Sequence, residues 1–152
     1  MRRYPEKVLL KFKDPQYFSI VKKNTEMIAR RMGFNEEKIF DLSMAVDEAY
    51  VNAIEHSGCP EQLNLEVEFM IYVDRLEISV SDSGCGFDTT RFKIPKSLKD
   101  LQGSRGRGLS LIRQLSDRFE LDSIPGNGTL IKIIKFISSR RKKKICQRAQ
   151  AI

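Results

Sequence analysis

Asp41-Leu-Ser-Met-Ala-Val-Asp-Glu-Ala-Tyr-Val-Asn-Ala-Ile-Glu-His-Ser-Gly58 reads as one long helix that stops at a glycine, with Ser57-Gly58-Cys59-Pro60 as its stop signal. Leu42, Ala45, Val46, Ala49 and Ala53 recur at helical spacing and form an apolar stripe for burial. Beside it Asp41, Glu48, Asn52 and Glu55, separated by seven, four and three residues, form a second, polar stripe. A rise of about 1.5 Å per residue sets Glu48 and Asn52 roughly 6 Å apart along the axis. That spacing suits a carboxylate acting on a nucleophile beside a carboxamide oxygen that binds a metal. The solvated face of an ordinary amphipathic helix would carry the same residues, so the stretch does not decide between the two by itself.

Outward from this helix the pattern alternates between two periods. Glu6 to Lys13 mixes alternation with apolar residues and predicts a first strand. Asp14-Pro15 predicts a cap and first-turn proline opening a helix through Met32, closed by Gly33, and Asn35-Glu-Glu-Lys is a start signal leading into the long helix. After Pro60, Leu63 to Val73 and Leu76 to Asp82 predict two strands joined in a hairpin at Asp74-Arg75. Residues 89–105 show no sustained periodicity and are rich in Lys and Arg. A segment that long without structure predicts a lid or binding loop rather than a connector. Gly106-Arg-Gly-Leu109 then opens a helix with Leu109, Ile112 and Leu115 on one face. Phe119 to Ile124 and Thr129 to Ile137 predict a closing hairpin around Pro125-Gly-Asn-Gly128. This order predicts an α+β, two-layer sandwich with helices on one face of a mixed, mostly antiparallel sheet.

A chain of 152 residues suits one domain that buries about two-thirds of its unfolded surface. Its 41% hydrophobic and 31% charged residues are those of a water-soluble protein. No apolar run approaches the roughly 20 residues of a membrane helix. Met1-Arg-Arg-Tyr-Pro-Glu-Lys7 does not read as a signal peptide. The formal charge of +7 is concentrated in a tail: six of the 27 basic residues lie between 140 and 148 with no acid, leaving 21 basic against 20 acidic before them. The expected organisation is a domain over 1–137 and a basic, disordered tail over 138–152. The tail is either a solubilising extension or a contact for nucleic acid or a membrane surface. Cys59, Cys85 and Cys146 are unevenly spaced and read as reduced thiols of a cytoplasmic protein. His56 and Cys59 could open a zinc site, but no second ligand pair follows.

Two glycine motifs point to chemistry. Asp82-Ser-Gly84-Cys-Gly86 ends a strand, where a carboxylate can accept from an exocyclic amine and glycines let a flat ring approach the backbone. Arg105-Gly-Arg-Gly108 precedes a helix, where free N–H groups and the helix dipole make an anion site. The spacing is neither a dinucleotide fingerprint nor a Walker loop. Either motif alone is also compatible with a plain turn or helix entry.

Their combination is more specific. Glu48-x-x-x-Asn52-Ala53-x-x-His56, Asp82-x-Gly84-x-Gly86, Gly106-x-Gly108-Leu109 and Gly128-Thr129 follow in that order around the basic segment. Together they resemble the Bergerat-fold ATP-binding superfamily of gyrase, the heat-shock chaperone and histidine kinases. The short form, with Glu before Asn and a Gly-Arg-Gly-Leu-x-Leu-Ile run, is similar to the bacterial anti-sigma-factor serine kinases. The resemblance covers roughly residues 5–137.

The resemblance implies that Asn52 ligates a magnesium ion on the triphosphate and that Asp82 holds the adenine amine, with Thr129 helping through water. Gly84 and Gly86 would line the base pocket. Arg105, Gly106, Gly108 and Leu109 would form the phosphate site as the lid closes. Glu48 would be the base toward a seryl hydroxyl, and His56 would have a structural role. The implied cofactors are ATP and Mg2+. The implied partners are a sigma factor and a small anti-sigma-factor antagonist phosphorylated on serine, with a homodimer as the assembly. A module that binds ATP only to shape a docking surface is the alternative to a kinase; a DNA-binding protein would rest on the tail alone.

Overall fold

The computed structural model describes residues 5–56, 63–90 and 104–138, with the side chains of the last segment from Gly106 onward. The elements run β1 (Glu6–Phe12), a short 3-10 turn (Pro15–Tyr17), α1 (Phe18–Met32) and α2 (Glu36–His56). Then follow β2 (Leu65–Ile71), β3 (Arg75–Asp82), α3 (Ser104–Leu115), β4 (Arg118–Ser123) and β5 (Thr129–Phe136). The five strands form one sheet in the order β1-β2-β3-β5-β4, and every pairing is antiparallel, with no parallel pair among the described residues.

Alternation decides which face the helices cover. One row across the sheet aligns Leu10, Val67, Val80, Ile131 and Leu121, and the neighbouring rows add Phe69, Ile78 and Ile133. Their side chains meet the apolar stripe of α2, namely Leu42, Ala45, Val46, Ala49 and Ala53, together with Val21 and Ile28 of α1 and Leu109 and Ile112 of α3. The opposite face is polar and crossed by ion pairs: Lys7 with Glu68, Lys11 with Glu66 at 2.6 Å, and Lys132 with Glu120 at 3.3 Å. Exposed pairs of this kind contribute about 0–1 kcal/mol each, so the buried face holds the fold.

The helix ends follow their local chemistry. Asp14 accepts the N–H of Gln16 at 3.0 Å and opens a 3-10 turn that leads into α1, rather than the single helix expected from Asp14 to Met32. At the far end Gly33 donates to the carbonyl of Arg30 and Phe34 reaches back to Ala29, closing α1. The side chain of Asn35 accepts the N–H of Lys38 at 2.9 Å, so α2 begins at Glu36, more than a turn before Asp41.

Helix α3 also begins earlier than the sequence suggests, at Ser104, which places Gly106 and Gly108 inside its first two turns rather than ahead of it. The stop signal at 57–60, Cys59 with its possible zinc site, most of the lid segment and the tail from residue 139 lie outside the described residues. Among the described residues no helix is long and apolar enough to cross a membrane. They hold no cluster of three His, Cys, Asp or Glu residues able to hold a metal.

Candidate active site

The polar side of α2 does not act as one stripe. Asp41 turns to the end of the sheet away from Asp82, where its carboxylate accepts from the buried Lys135 ammonium at 2.7 Å; the same ammonium donates to the carbonyl of Leu115 at 2.6 Å. Glu55 is exposed. Glu48 faces α3: a Cβ on Gly108 would sit 3.0 Å from its Oε2, so the glycine makes room for the carboxylate beside the first turns of that helix. Asn52 lies one turn further on the same side and is 9% exposed. Among the described residues neither side chain has a hydrogen-bond or ion-pair partner. One more turn brings His56, whose ring acts electrostatically on Asp82. A file of Glu48, Asn52 and His56 thus runs from the start of α3 to the end of β3 and joins the two glycine motifs.

At the β3 end the sheet row continues the alternation with polar residues. Phe12, Leu65, Asp82, Thr129 and Ser123 are aligned, in the same inward phase as the apolar row two residues away. Asp82 accepts the N–H of Gly84 at 2.8 Å through Oδ1. Burial pushes its carboxyl above the ordinary range, opposed by the Gly84 N–H, the His56 ring and the backbone amide of Thr129. Ser123, absent from the expected site, links three segments. It accepts the N–H of Phe87 at 2.9 Å, contacts the Gly128 carbonyl at 3.1 Å and lies 2.8 Å from the Thr129 hydroxyl.

Two glycines meet a steric demand within the protein itself. Gly86 adopts φ +60°, and a Cβ there would overlap the carbonyl oxygen of Ile124. Gly128 adopts φ +82°, and its Cβ would overlap the carbonyl of Asp82. These positions need glycine so that the loop after β3 and the β4–β5 turn can pack backbone against backbone. The Gly126 N–H donating to the Cys85 carbonyl ties the same two segments. In this structure the steric demand at Gly86 comes from the neighbouring turn rather than from a ligand.

At the other end, the early start of α3 divides the glycines between two tasks. The N–H groups that open a helix, here Ser104 to Gly106, lack intrahelical acceptors, so those of Arg105 and Gly106 are available to an anion. Gly108 lies beyond that set and instead accommodates Glu48. Leu109 is fully buried and anchors the helix in the core. The side chain of Arg105 is outside the described set.

Chemically, the arrangement offers acceptors for an amine at Asp82, unpaired N–H groups for anions at α3, and a neutral oxygen plus a carboxylate between them. Residues 13–135 match the family model described as histidine kinase-like ATPase domain. The chain belongs to that family. It is 31% identical over 135 residues to a serine-protein kinase RsbW of Bacillus velezensis, covering 84% of this chain and 83% of the relative. It is 36% identical over 134 residues to a serine-protein kinase RsbW of Listeria monocytogenes, covering 84% of each. A third, from Bacillus pumilus, is 33% identical over 141 residues, covering 84% of this chain and 83% of the relative. By class, then, this member of the ATPase family is an ATP-dependent protein serine kinase, as the resemblance implied.

Proposed function

We propose that the protein binds Mg-ATP between Asp82 and the start of α3, and transfers its γ-phosphate to a serine of a small antagonist protein. We also propose that it sequesters the sigma factor which that antagonist releases, in the cytoplasm. The observation that carries the reading is the file on α2: Glu48 stands against Gly108 of the anion-binding helix, Asn52 follows one turn on, and the file ends at Asp82. Base, cation and phosphate functions then lie in the order in which ATP would present them.

Asn52 fits a magnesium ion. Its carboxamide has no competing partner among the described residues, and this cation keeps several waters and needs only one or two protein oxygens beside phosphate. When bound, the ion would neutralise charge on the triphosphate. The remaining work falls to the chain: the Asp82 carboxylate accepts from the adenine amine, and Thr129 orients the base edge. The N–H groups of α3 hold phosphate oxygens, and the Glu48 carboxylate orients the seryl hydroxyl. As the seryl oxygen bonds to the γ-phosphorus, the bond to the β-phosphate oxygen breaks, the hydroxyl proton passes to Glu48, and ADP leaves.

Glu48→Gln keeps the shape and removes the basicity. ATP and sigma-factor binding should survive while phosphoryl transfer falls roughly 10²–10⁴-fold, the usual share of a general base. Labelled ATP with candidate antagonist proteins measures this. Equal rates in the two proteins would remove Glu48 from the role of base. ATP binding by both with transfer by neither would leave an ATP-dependent docking module in place of a kinase.

A further inference from the structure

Gly108 stands where a helix has no local use for a glycine. It lies at the fifth position of α3, and its φ is not among the positive values adopted by Gly33, Gly86, Gly126 and Gly128. In α geometry its N–H belongs to the helix's own ladder, with the carbonyl of Ser104 as acceptor. Glycine at such a position weakens a helix relative to alanine, because it gives up more backbone freedom on folding. Close packing of backbones, the reason for glycine at positions 86 and 128, does not apply here. Among the described residues, a Cβ on Gly108 would meet only one heavy atom within 4 Å outside its own helix backbone and chain neighbours. That atom is Oε2 of Glu48, at 3.0 Å.

This distance is tighter than ordinary contact, so a methyl group would push the carboxylate back by a few tenths of an ångström. The end of a glutamate side chain moves by rotation about its own bonds and gives way at little cost in stability. The helix does not give way instead, because Leu109 and Ile112 are fully buried in the core.

We infer that Gly108 is a positioning residue for phosphoryl transfer, whose missing side chain sets how far the Glu48 carboxylate reaches toward the start of α3. The inference rests on the proposed reading that Glu48 is the base. It gives Gly108 a role through that carboxylate in place of the phosphate contact implied by the resemblance. A base works only within hydrogen-bond reach of the proton it takes, about 2.6–3.2 Å between heavy atoms. A shift of a few tenths of an ångström spans much of that range. The chain keeps a weaker helix at this point and, with it, an undisplaced carboxylate.

The test compares Gly108→Ala with the parent in the full chain, using γ-labelled ATP and the antagonist protein that the parent phosphorylates. Turnover should fall about tenfold, the scale of penalty for a slightly misplaced reacting group. Mg-ATP affinity by calorimetry and KM for ATP should match the parent, while the melting temperature of the apoprotein should hold or rise. Glu48→Asp shortens the side chain by one methylene and withdraws the carboxylate from Gly108. Its own transfer is slow, and adding Gly108→Ala should bring no further loss, because nothing remains for the methyl group to push.

A tenfold loss of Mg-ATP affinity in Gly108→Ala would put the glycine at the phosphates and overturn the inference. Undiminished turnover would overturn it as well, and so would an equal loss with Glu or Asp at position 48. If Glu48→Asp transfers too slowly to follow, the split between turnover and affinity in Gly108→Ala decides alone. Failure of the underlying reading looks different: Glu48→Gln would transfer phosphate as fast as the parent. A protein that loses transfer in Glu48→Gln yet keeps it in Gly108→Ala refutes only the role of Gly108.

Discussion

Helix α2 carries Asp41 and Glu48 two turns apart on its polar side, and the surroundings of the two carboxylates differ in kind. Asp41 meets a buried lysine whose other partner is the last carbonyl of α3, so charge, counter-charge and helix end are mutually satisfied. Glu48 meets the bare backbone of Gly108, and one turn on Asn52 has no partner either among the described residues. The paired end joins α2, α3 and β5 and leaves nothing for a ligand to bind. The unpaired end keeps polar atoms partly desolvated without compensation, which costs stability unless something else arrives to bind them. Satisfaction of these polar atoms distinguishes Asp41 from Glu48 and Asn52 better than charge or spacing does.

The most severe way to break this contrast is Asn52→Ala. If the Asn52 oxygen is reserved for a cation, the substitution removes no bond of the free protein. Magnesium-dependent ATP binding should be lost, while the apoprotein changes stability by no more than about 1 kcal/mol. Calorimetry with Mg-ATP checks the first half and urea denaturation the second. Unchanged affinity would mean that the unpaired end is simply a poorly satisfied surface.

Asp41→Asn probes the opposite end and should show the opposite pattern. It leaves the Lys135 ammonium, 7% exposed, with one neutral acceptor in place of a carboxylate. Losing one partner of a buried pair typically costs about 3–5 kcal/mol. Because the Asp41 side chain is itself one-quarter exposed, the expected loss is smaller, about 1–3 kcal/mol. ATP affinity of the folded variant should match the parent. A variant as stable as the parent but impaired in ATP binding would reverse the assignment of the two ends.

Most of this was legible in the sequence where the signal is local. The strand alternation gave every strand within two residues, and the glycine motifs together with Glu48 and Asn52 pointed to the family. What local spacing could not show is who satisfies whom. Asp41 belongs with Lys135, 94 residues away, so the four-residue polar stripe looked uniform. Gly86 looked like a ligand-facing glycine because its steric partner, the β4–β5 turn, lies far along the chain. Helix α3 starts at Ser104 although glycines are poor helix formers, because Leu109 and Ile112 in the core outweigh propensity. Ser123 had a usable signal that went unread: it stands in phase with inward-facing Leu121 and is registered against Thr129. A polar residue in the buried phase of a strand, beside two others, marks a site.

The smallest expected effect concerns Asp82, a group of intermediate standing: half-buried, yet held by the Gly84 N–H and the backbone amide of Thr129. Burial raises its folded-state pKa above that of the unfolded chain. In the window between the two values the folded protein binds more protons than the unfolded chain. Stability therefore rises as pH falls through that window, and the ionised carboxylate is a net cost above it. ATP affinity moves the other way, because a protonated carboxyl offers a hydrogen where the adenine amine needs an acceptor. Asp82→Asn removes the titration, so on acidification through that window the parent should lose ATP affinity more steeply than the variant, while gaining relative apoprotein stability. The titration of ATP itself is common to both proteins and cancels in the difference. Calorimetry and thermal melting of the pair at stepped pH measure both slopes. Parallel affinity curves would show that Asp82 does not hold the base in its ionised form; a parent destabilised on acidification relative to Asp82→Asn would show that the Gly84 and His56 contacts outweigh its burial.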